Sequence, residues 1–464
     1  MTVTVLQRDS PEFKERNKSY FTAFNNGITP SGIAIPETAE DVAQLVREAV
    51  QCDAEIGVRG GGHTPWKGAA NIGNRLVIDM RNLTGITINA DNSTVSIGAG
   101  ERWGSVYEKL ATEGLATVGG RVSRVGVTGL TTGGGLSYFS GRHGFVCDTV
   151  ANFEVVLASG KIVNANKTSN PDLFAALKGG SNNFGIVTKI VLPTFPLGKL
   201  WGGMTVHPGT SYPDAVRALY EFATSSTPDP DAHLLLSSGW AKIAGGEITV
   251  LSLYHASHQT IEPGPESLAN FTAIQPRLNS SLRQASLVEF TAEQSSFSVD
   301  GGRNLYFTTT IKPDIDLLLE VQALFRKHIA PIQEAKDLAF SIVLQPMTSQ
   351  MLQKSAEGGR NAMGLSAYDG PYINVLINPV WSEAKDDDQI VQTSLALLDA
   401  IDKAAEAKGN GARYRFMNYS YGSQKVIESY GDSARQFLRE VSAKYDPKRF
   451  FQKNVPGGFK LGSN

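Results

Sequence analysis

Three consecutive glycines lead straight into an imidazole in the run Val58-Arg59-Gly60-Gly61-Gly62-His63-Thr64. Without Cβ atoms, such a run lets backbone amides approach a phosphate or a planar ligand closely, and it delivers His63 beside whatever the amides hold. Read alone, the same residues also describe a flexible loop with a solvated histidine. A second glycine-rich stretch runs Gly119-Gly120-Arg121-Val122-Ser123-Arg124-Val125-Gly126-Val127-Thr128-Gly129, followed by Gly133-Gly134-Gly135. No G-x-G-x-x-G opens a helix after a strand there, and Gly160-Lys161 and Gly198-Lys199 lack the rest of a phosphate loop. Nicotinamide-dehydrogenase and P-loop readings are therefore both disfavoured. His255 and His258 have His-x-x-His spacing but no third ligand nearby in the chain; they read as solvated surface histidines, and no metal is expected. Tyrosines gather late, in Asn418-Tyr419-Ser420-Tyr421, and Tyr138 and His143 follow the glycine triplet as further candidates to line a site.

The elements that must position these groups are legible from periodicity. From Thr38, the apolar spacing of Val42, Leu45, Val46 and Ala49 with Glu40 and Asp41 in the first turn predicts a helix. A strand over Ala54 to Val58 then feeds the glycine loop. Strands are expected at Arg75 to Asp79 and Thr94 to Gly98, a helix from Trp103 to Glu113 stopping at Gly114, and a hairpin over Phe153 to Val163. A short helix, Asp172 to Leu177, precedes Gly185-Ile186-Val187. Beyond Pro193 the texture changes. Helices are predicted at about Pro213 to Ser225, Asp314 to His328 and Asp387 to Lys408, with strands at Glu247 to Tyr254, Leu305 to Ile311 and Tyr372 to Val380. The tail carries a strand-like Tyr414 to Tyr419 and a helix from Ser433 to Lys444. The expected organisation is 1–198, a middle unit 199–410, and a tail 411–464 that returns to the first.

The chain has 464 residues, 19% of them charged, with a formal net charge of −2, so no basic face for nucleic acid or an anionic membrane is implied. Its 47 glycines are densest before about residue 203. Cys52 and Cys147 form no CxxC pair and read as buried thiols or one bridge. No stretch is long and uncharged enough to span a bilayer. Seven Asn-x-Ser/Thr sequons make secretion, with the signal peptide absent from this chain, the expected localisation and a cytoplasmic one the alternative.

Taken together, the loop ending in His63, the stretch Gly126 to Gly135, the run Asp148 to Gly160, Asp172 to Thr188, and Tyr445-Asp446-Pro447 with Pro456-Gly457-Gly458-Phe459-Lys460 resemble the FAD-linked oxidases of the vanillyl-alcohol oxidase superfamily. Within it they are similar to the berberine-bridge-enzyme-like group, of fungal or bacterial type. The resemblance implies an α+β fold. A PCMH-type FAD-binding domain of two α/β subdomains would be completed by the C-terminal tail, and a substrate domain would present an antiparallel sheet backed by helices. It also implies that FAD is bound by Arg59, Gly60, Gly61, Gly62, His63, Thr64, Val125, Gly126, Gly129, Gly133, Gly134, Gly135, Gly185, Ile186, Val187 and Asn418. His63 would bond the 8α-methyl carbon of the flavin. The second, cysteinyl link of many relatives falls on Val122, which cannot form a thioether, so one covalent bond is expected.

The implied reaction is removal of a hydride from an alcohol or similar carbon of a small molecule, a carbohydrate or a secondary metabolite, with O2 as acceptor. An oxidative cyclase and a non-catalytic flavin-binding protein are the alternatives; a monomer is expected. The candidate bases are Tyr421, Tyr419 and Tyr138. A tyrosine with an ordinary pKa of about 10 needs a neighbouring cation to serve near neutrality, for which Arg413 and Arg415 are the local candidates. Strand alternation over Tyr414 to Tyr419 would point Asn418 and Tyr419 to opposite faces unless the strand ends or bulges there. Pro65 stands where some relatives carry a catalytic tyrosine, and Trp66 reads as an apolar wall.

Overall fold

The computed structural model describes residues 3–257 and 260–462. Three sheets carry the molecule. The first is built from Val5–Gln7 (β1), Gly32–Ala34 (β2), Ile56–Arg59 (β3) and Leu76–Asp79 (β4), in the order β1-β2-β4-β3. β3 and β2 both run parallel to β4. A parallel pair needs a crossover, and Ala39–Gln51 (α1) supplies the one between β2 and β3. A reciprocal capping box between Thr38 and Asp41 starts this helix, and its apolar stripe, Val42, Leu45, Val46 and Ala49, is buried.

The second sheet is antiparallel, ordered Ile86–Ile88 (β5), Thr94–Gly98 (β6), Ile186–Pro196, Asn152–Val156 and Ile162–Ala165, with Leu115–Thr117 also paired to the long central strand. The helix Trp103–Ala111 and the expected hairpin over Phe153 to Val163 both form here. Gly114 follows that helix at φ +67°, where glycine is favoured.

The third sheet has ten strands. Its long members, Leu200–Pro208, Ala232–Ala241, Gly246–His255, Ala339–Met347 and Tyr372–Trp381, pair antiparallel over most of their lengths. Period-two alternation divides their side chains. Leu234, Leu236, Leu251, Phe340, Ile342, Leu344, Val375 and Ile377 turn inward onto the helices Tyr212–Thr224, Ile315–Ile329 and Asp387–Ala407. Each such fully buried side chain contributes about 1.5–3 kcal/mol. The intervening residues face a cavity shared with the first two sheets.

The tail returns through the helix Asp432–Tyr445. Asp446 ends it and accepts from the amides of Phe450 (2.9 Å) and Phe451 (2.7 Å). Asn454 then donates to the carbonyl of Asp53 at 3.0 Å, and Asn182 to that of Gly457 at 2.9 Å. Tyr414 to Tyr419 is not a strand: Met417–Tyr419 forms a single 3-10 turn. The Asn418 side chain replaces the ladder, accepting from the Gly135 amide at 3.0 Å and donating to the carbonyls of Gly129 and Leu130. Both cysteines are free; Cys147 is buried, whereas Cys52 is exposed, contrary to expectation. No helix among the described residues is long and apolar enough to cross a membrane.

Candidate active site

The loop after β3 is fixed from outside before any ligand arrives. Phe21 donates from its amide to the Gly62 carbonyl, the Thr22 hydroxyl donates to the Pro65 carbonyl at 2.8 Å, and Asn25 donates to those of Thr64 and Trp66. Gly62 adopts φ +68°, a left-handed turn that aims the chain back into the cavity. Gly61 serves closeness instead: a Cβ there would lie 2.6 Å from the backbone N and Cα of Gly126. The two glycine-rich stretches therefore meet backbone to backbone, and their union floors a cavity of about 740 Å³.

His63 lies at this floor with its ring stacked on Phe21, centroids 3.9 Å apart. Its Nε2 is shut off from solvent and has no hydrogen-bond partner. Burial, reinforced by the positive charges of Arg102 and Arg124, holds the imidazole pKa down to about 3, so the ring is neutral at physiological pH. An orphaned neutral nitrogen beside a floor without side chains fits a group that bonds histidine and lies flat on amides, as FAD would. Thr64, Val125, Gly126, Gly129, Gly135, Gly185, Ile186, Val187 and Asn418 line the same cavity, with Gly60, Gly61 and Gly62.

Other expected residues fall elsewhere. Arg59 is buried beneath the loop, donating to the carbonyls of Arg16 (2.7 Å) and Ser19 (2.6 Å) and lying over the Tyr20 ring, so it braces the loop and does not face the cavity. Gly133 backs the Asn418 side chain and Gly134 faces Met363; neither reaches the wall. Tyr138 is buried behind the wall with its hydroxyl on the Arg121 carbonyl. Tyr421 packs on Phe307, centroids 4.5 Å apart, outside the lining. His143 stacks on Phe195. His255 is not solvated: it is buried, 3.0 Å from Asp229, and with Asp231 these form a cluster whose carboxylates also meet Arg142, Ser257 and Ser267. His258 lies outside the described residues.

Tyr419 does line the cavity, and its cation is neither local arginine. Arg413 donates to the Ser429 and Tyr430 carbonyls, and Arg415 pairs with Asp402. Arg121 takes their place, its Nη2 donating to the Tyr419 hydroxyl at 2.6 Å and to Gln345 Oε1 at 2.7 Å, while Nη1 meets His233 Nε2 at 2.9 Å. A guanidinium has no acceptor, so His233 must present a lone pair at Nε2 and be neutral there. Burial, with the Arg121 charge, pushes the His233 pKa well down, in agreement. Arg121, His233 and Gln345 were not singled out from the sequence, because nothing local marks them. The only readable signal was alternation in Ala339–Met347, which puts Ser341, Val343 and Gln345 on the face opposite Phe340, Ile342 and Leu344.

An FAD binding domain family matches residues 30–166. The chain is 36% identical over 431 residues to an FAD-dependent monooxygenase of Cochliobolus heterostrophus, covering 91% of this chain and 83% of that one. It is 35% identical over 463 residues to another of Cercospora beticola, covering 96% and 86%. Among solved structures, 6-hydroxy-D-nicotine oxidase from Arthrobacter nicotinovorans shares the fold at a TM-score of 0.82 and 23% identity, over 97% of each chain. With a glycine-floored cavity around a neutral histidine and this extent of likeness, the chain belongs to the family of FAD-dependent oxidoreductases that includes these two fungal proteins, and it shares the fold of the solved oxidase.

Proposed function

We propose that the protein is an oxidase that removes hydrogen from an alcohol or similar oxidisable carbon of a small molecule and passes the electrons to O2, giving hydrogen peroxide. The observation that carries this reading is His63, a neutral imidazole with an unbonded nitrogen facing no solvent at the floor of the cavity. FAD, when bound, supplies the acceptor for two electrons and for the hydrogen leaving the substrate carbon. The glycine floor and Gly185 to Val187 would hold it, and His63 would be its single covalent tether, since Val122 at the second position has no sulfur. As the base, Tyr419 would start as its tyrosinate, faced by the Arg121 donor, and become the neutral phenol on taking the substrate hydroxyl proton, which leaves the negative charge on the substrate oxygen.

Denaturation followed by mass spectrometry of the peptide containing His63 tests the tether. A flavin adduct on that peptide, lost in His63→Ala, is the expected result; free flavin after denaturing the native protein overturns it. A second reading is favoured by the names of the relatives in Cochliobolus and Cercospora, which are monooxygenases. It has one oxygen atom entering the product. Turnover under 18O2 separates the two, because an oxidase leaves the label in peroxide and a monooxygenase carries it into product.

A further inference from the structure

The cavity wall is unusual in its charge. Among the described residues, Arg121 is the one Arg, Lys, Asp or Glu side chain that lines it, and it is itself buried. The sheet face above is mostly aliphatic and aromatic, with Val206, Leu235, Trp240, Val250, Val343 and Leu376 between Ser237, Ser252, Ser341 and Asn378. Arg121 Nη2 holds Gln345 by its carbonyl oxygen, which fixes the amide with its NH2 turned away from the guanidinium. That Nε2 is buried and has no hydrogen-bond partner, in a residue only 1% exposed. An unmet donor of this kind costs stability unless a ligand acceptor meets it, and a guanidinium beside it makes the strongest acceptor an anionic oxygen.

We propose that Gln345 Nε2, backed by the positive charge of Arg121, clamps the oxygen of an apolar ring scaffold carrying a conjugated oxygen acid, a phenol or enol, held as its anion. This rests on the reading of the cavity as an oxidoreductase site and names its substrate class. A sugar would set most of its hydroxyls against the aliphatic part of the wall, and an amine would find no carboxylate and one repelling cation. The clamp is a recognition device, and Tyr419, bonded to the same guanidinium, is placed next to the oxygen it recognises.

The test uses the purified flavin-containing protein and difference spectroscopy with four probes: 4-nitrophenol, its methyl ether 4-nitroanisole, xylose and benzylamine. The expected result is that 4-nitrophenol binds about tenfold or more tightly than 4-nitroanisole, as a hydrogen bond to charge implies. It should bind as the yellow anion at a pH below its own pKa in solution. In Gln345→Glu, nearly the same shape with the donor replaced by a negative oxygen, that preference should vanish while flavin content and melting temperature hold. Equal binding of the phenol and its ether overturns the proposal, as does tighter binding of xylose or benzylamine. An unchanged phenol preference in Gln345→Glu also overturns it, and a shifted flavin band there shows that the amide addresses the flavin instead. If the variant does not fold, the native protein's preference between phenol and ether still decides. A colourless native protein instead defeats the oxidase reading itself, before any probe is added.

Discussion

Gly61→Ala is the sharpest test of how the site is assembled. The new Cβ would stand 2.6 Å from two backbone atoms of Gly126, 0.8 Å inside the 3.4 Å at which ordinary contact begins, and neither atom belongs to a side chain that could swing away. The loops must therefore part, and the hydrogen bonds that pin Gly62 to Trp66 resist. Overpacking of this sort costs about 1–3 kcal/mol, or about 2–4 °C in Tm for each kcal/mol in a unit of roughly 200 residues. Gly60→Ala is the control, since a Cβ there meets nothing within 4 Å. In the flavin-free form, Gly61→Ala should melt several degrees low and Gly60→Ala at the native temperature. With flavin supplied, both should retain less of it, Gly61→Ala because the floor is split and Gly60→Ala because the added methyl stands where a ligand would lie. A Gly61→Ala protein that melts with the native protein and keeps full flavin would refute the backbone contact as the basis of the floor.

Acid sensitivity should trace in part to His233. Its folded pKa lies well below the ordinary value of about 6.5, so below that pH the unfolded chain binds a proton the folded chain refuses. Stability is thus present above about pH 6.5 and falls as the pH drops, by at most about 1.4 kcal/mol per pH unit. Denaturant titrations of His233→Gln, which keeps an acceptor for Arg121, should show a flatter loss between pH 6.5 and 5 than the native protein. Asp446→Ala leaves the buried amides of Phe450 and Phe451 without acceptors and should lower stability by about 1–3 kcal/mol for each group, with a parallel fall in flavin retention because Phe451 lines the cavity. Tyr421→Phe should turn over at the native rate, its ring remaining on Phe307, whereas Tyr419→Phe should lose about 100-fold or more. Steady-state kinetics in parallel decides between these tyrosines.

Much of the fold was legible because its signals are local. The stripe of α1, the strand into the glycine loop, the hairpin after residue 152 and the long helices of the third sheet were each written in spacing a few residues wide. The same rule misread Tyr414 to Tyr419, where apolar alternation suggests a strand. The partner that decides the backbone there is a glycine loop 283 residues earlier in the chain. Arg59 misled in the opposite way, since its position beside three glycines suggests a ligand contact while its guanidinium is consumed by carbonyls of residues 16 and 19. Arg121 was invisible as a site residue for the same physical reason, its partners His233, Gln345 and Tyr419 lying 112, 224 and 298 residues away.

The latching of Asn454 and Gly457 onto Asp53 and Asn182 has a consequence for the order of events in the cell. A ribosome releases Asp53 401 residues before its partner Asn454, so until that segment emerges the cleft lacks these closing contacts. Loading with the yellow coenzyme would then wait for the segment, and a nascent chain stalled before Asn454 would emerge folded over much of its length yet unable to keep its pigment.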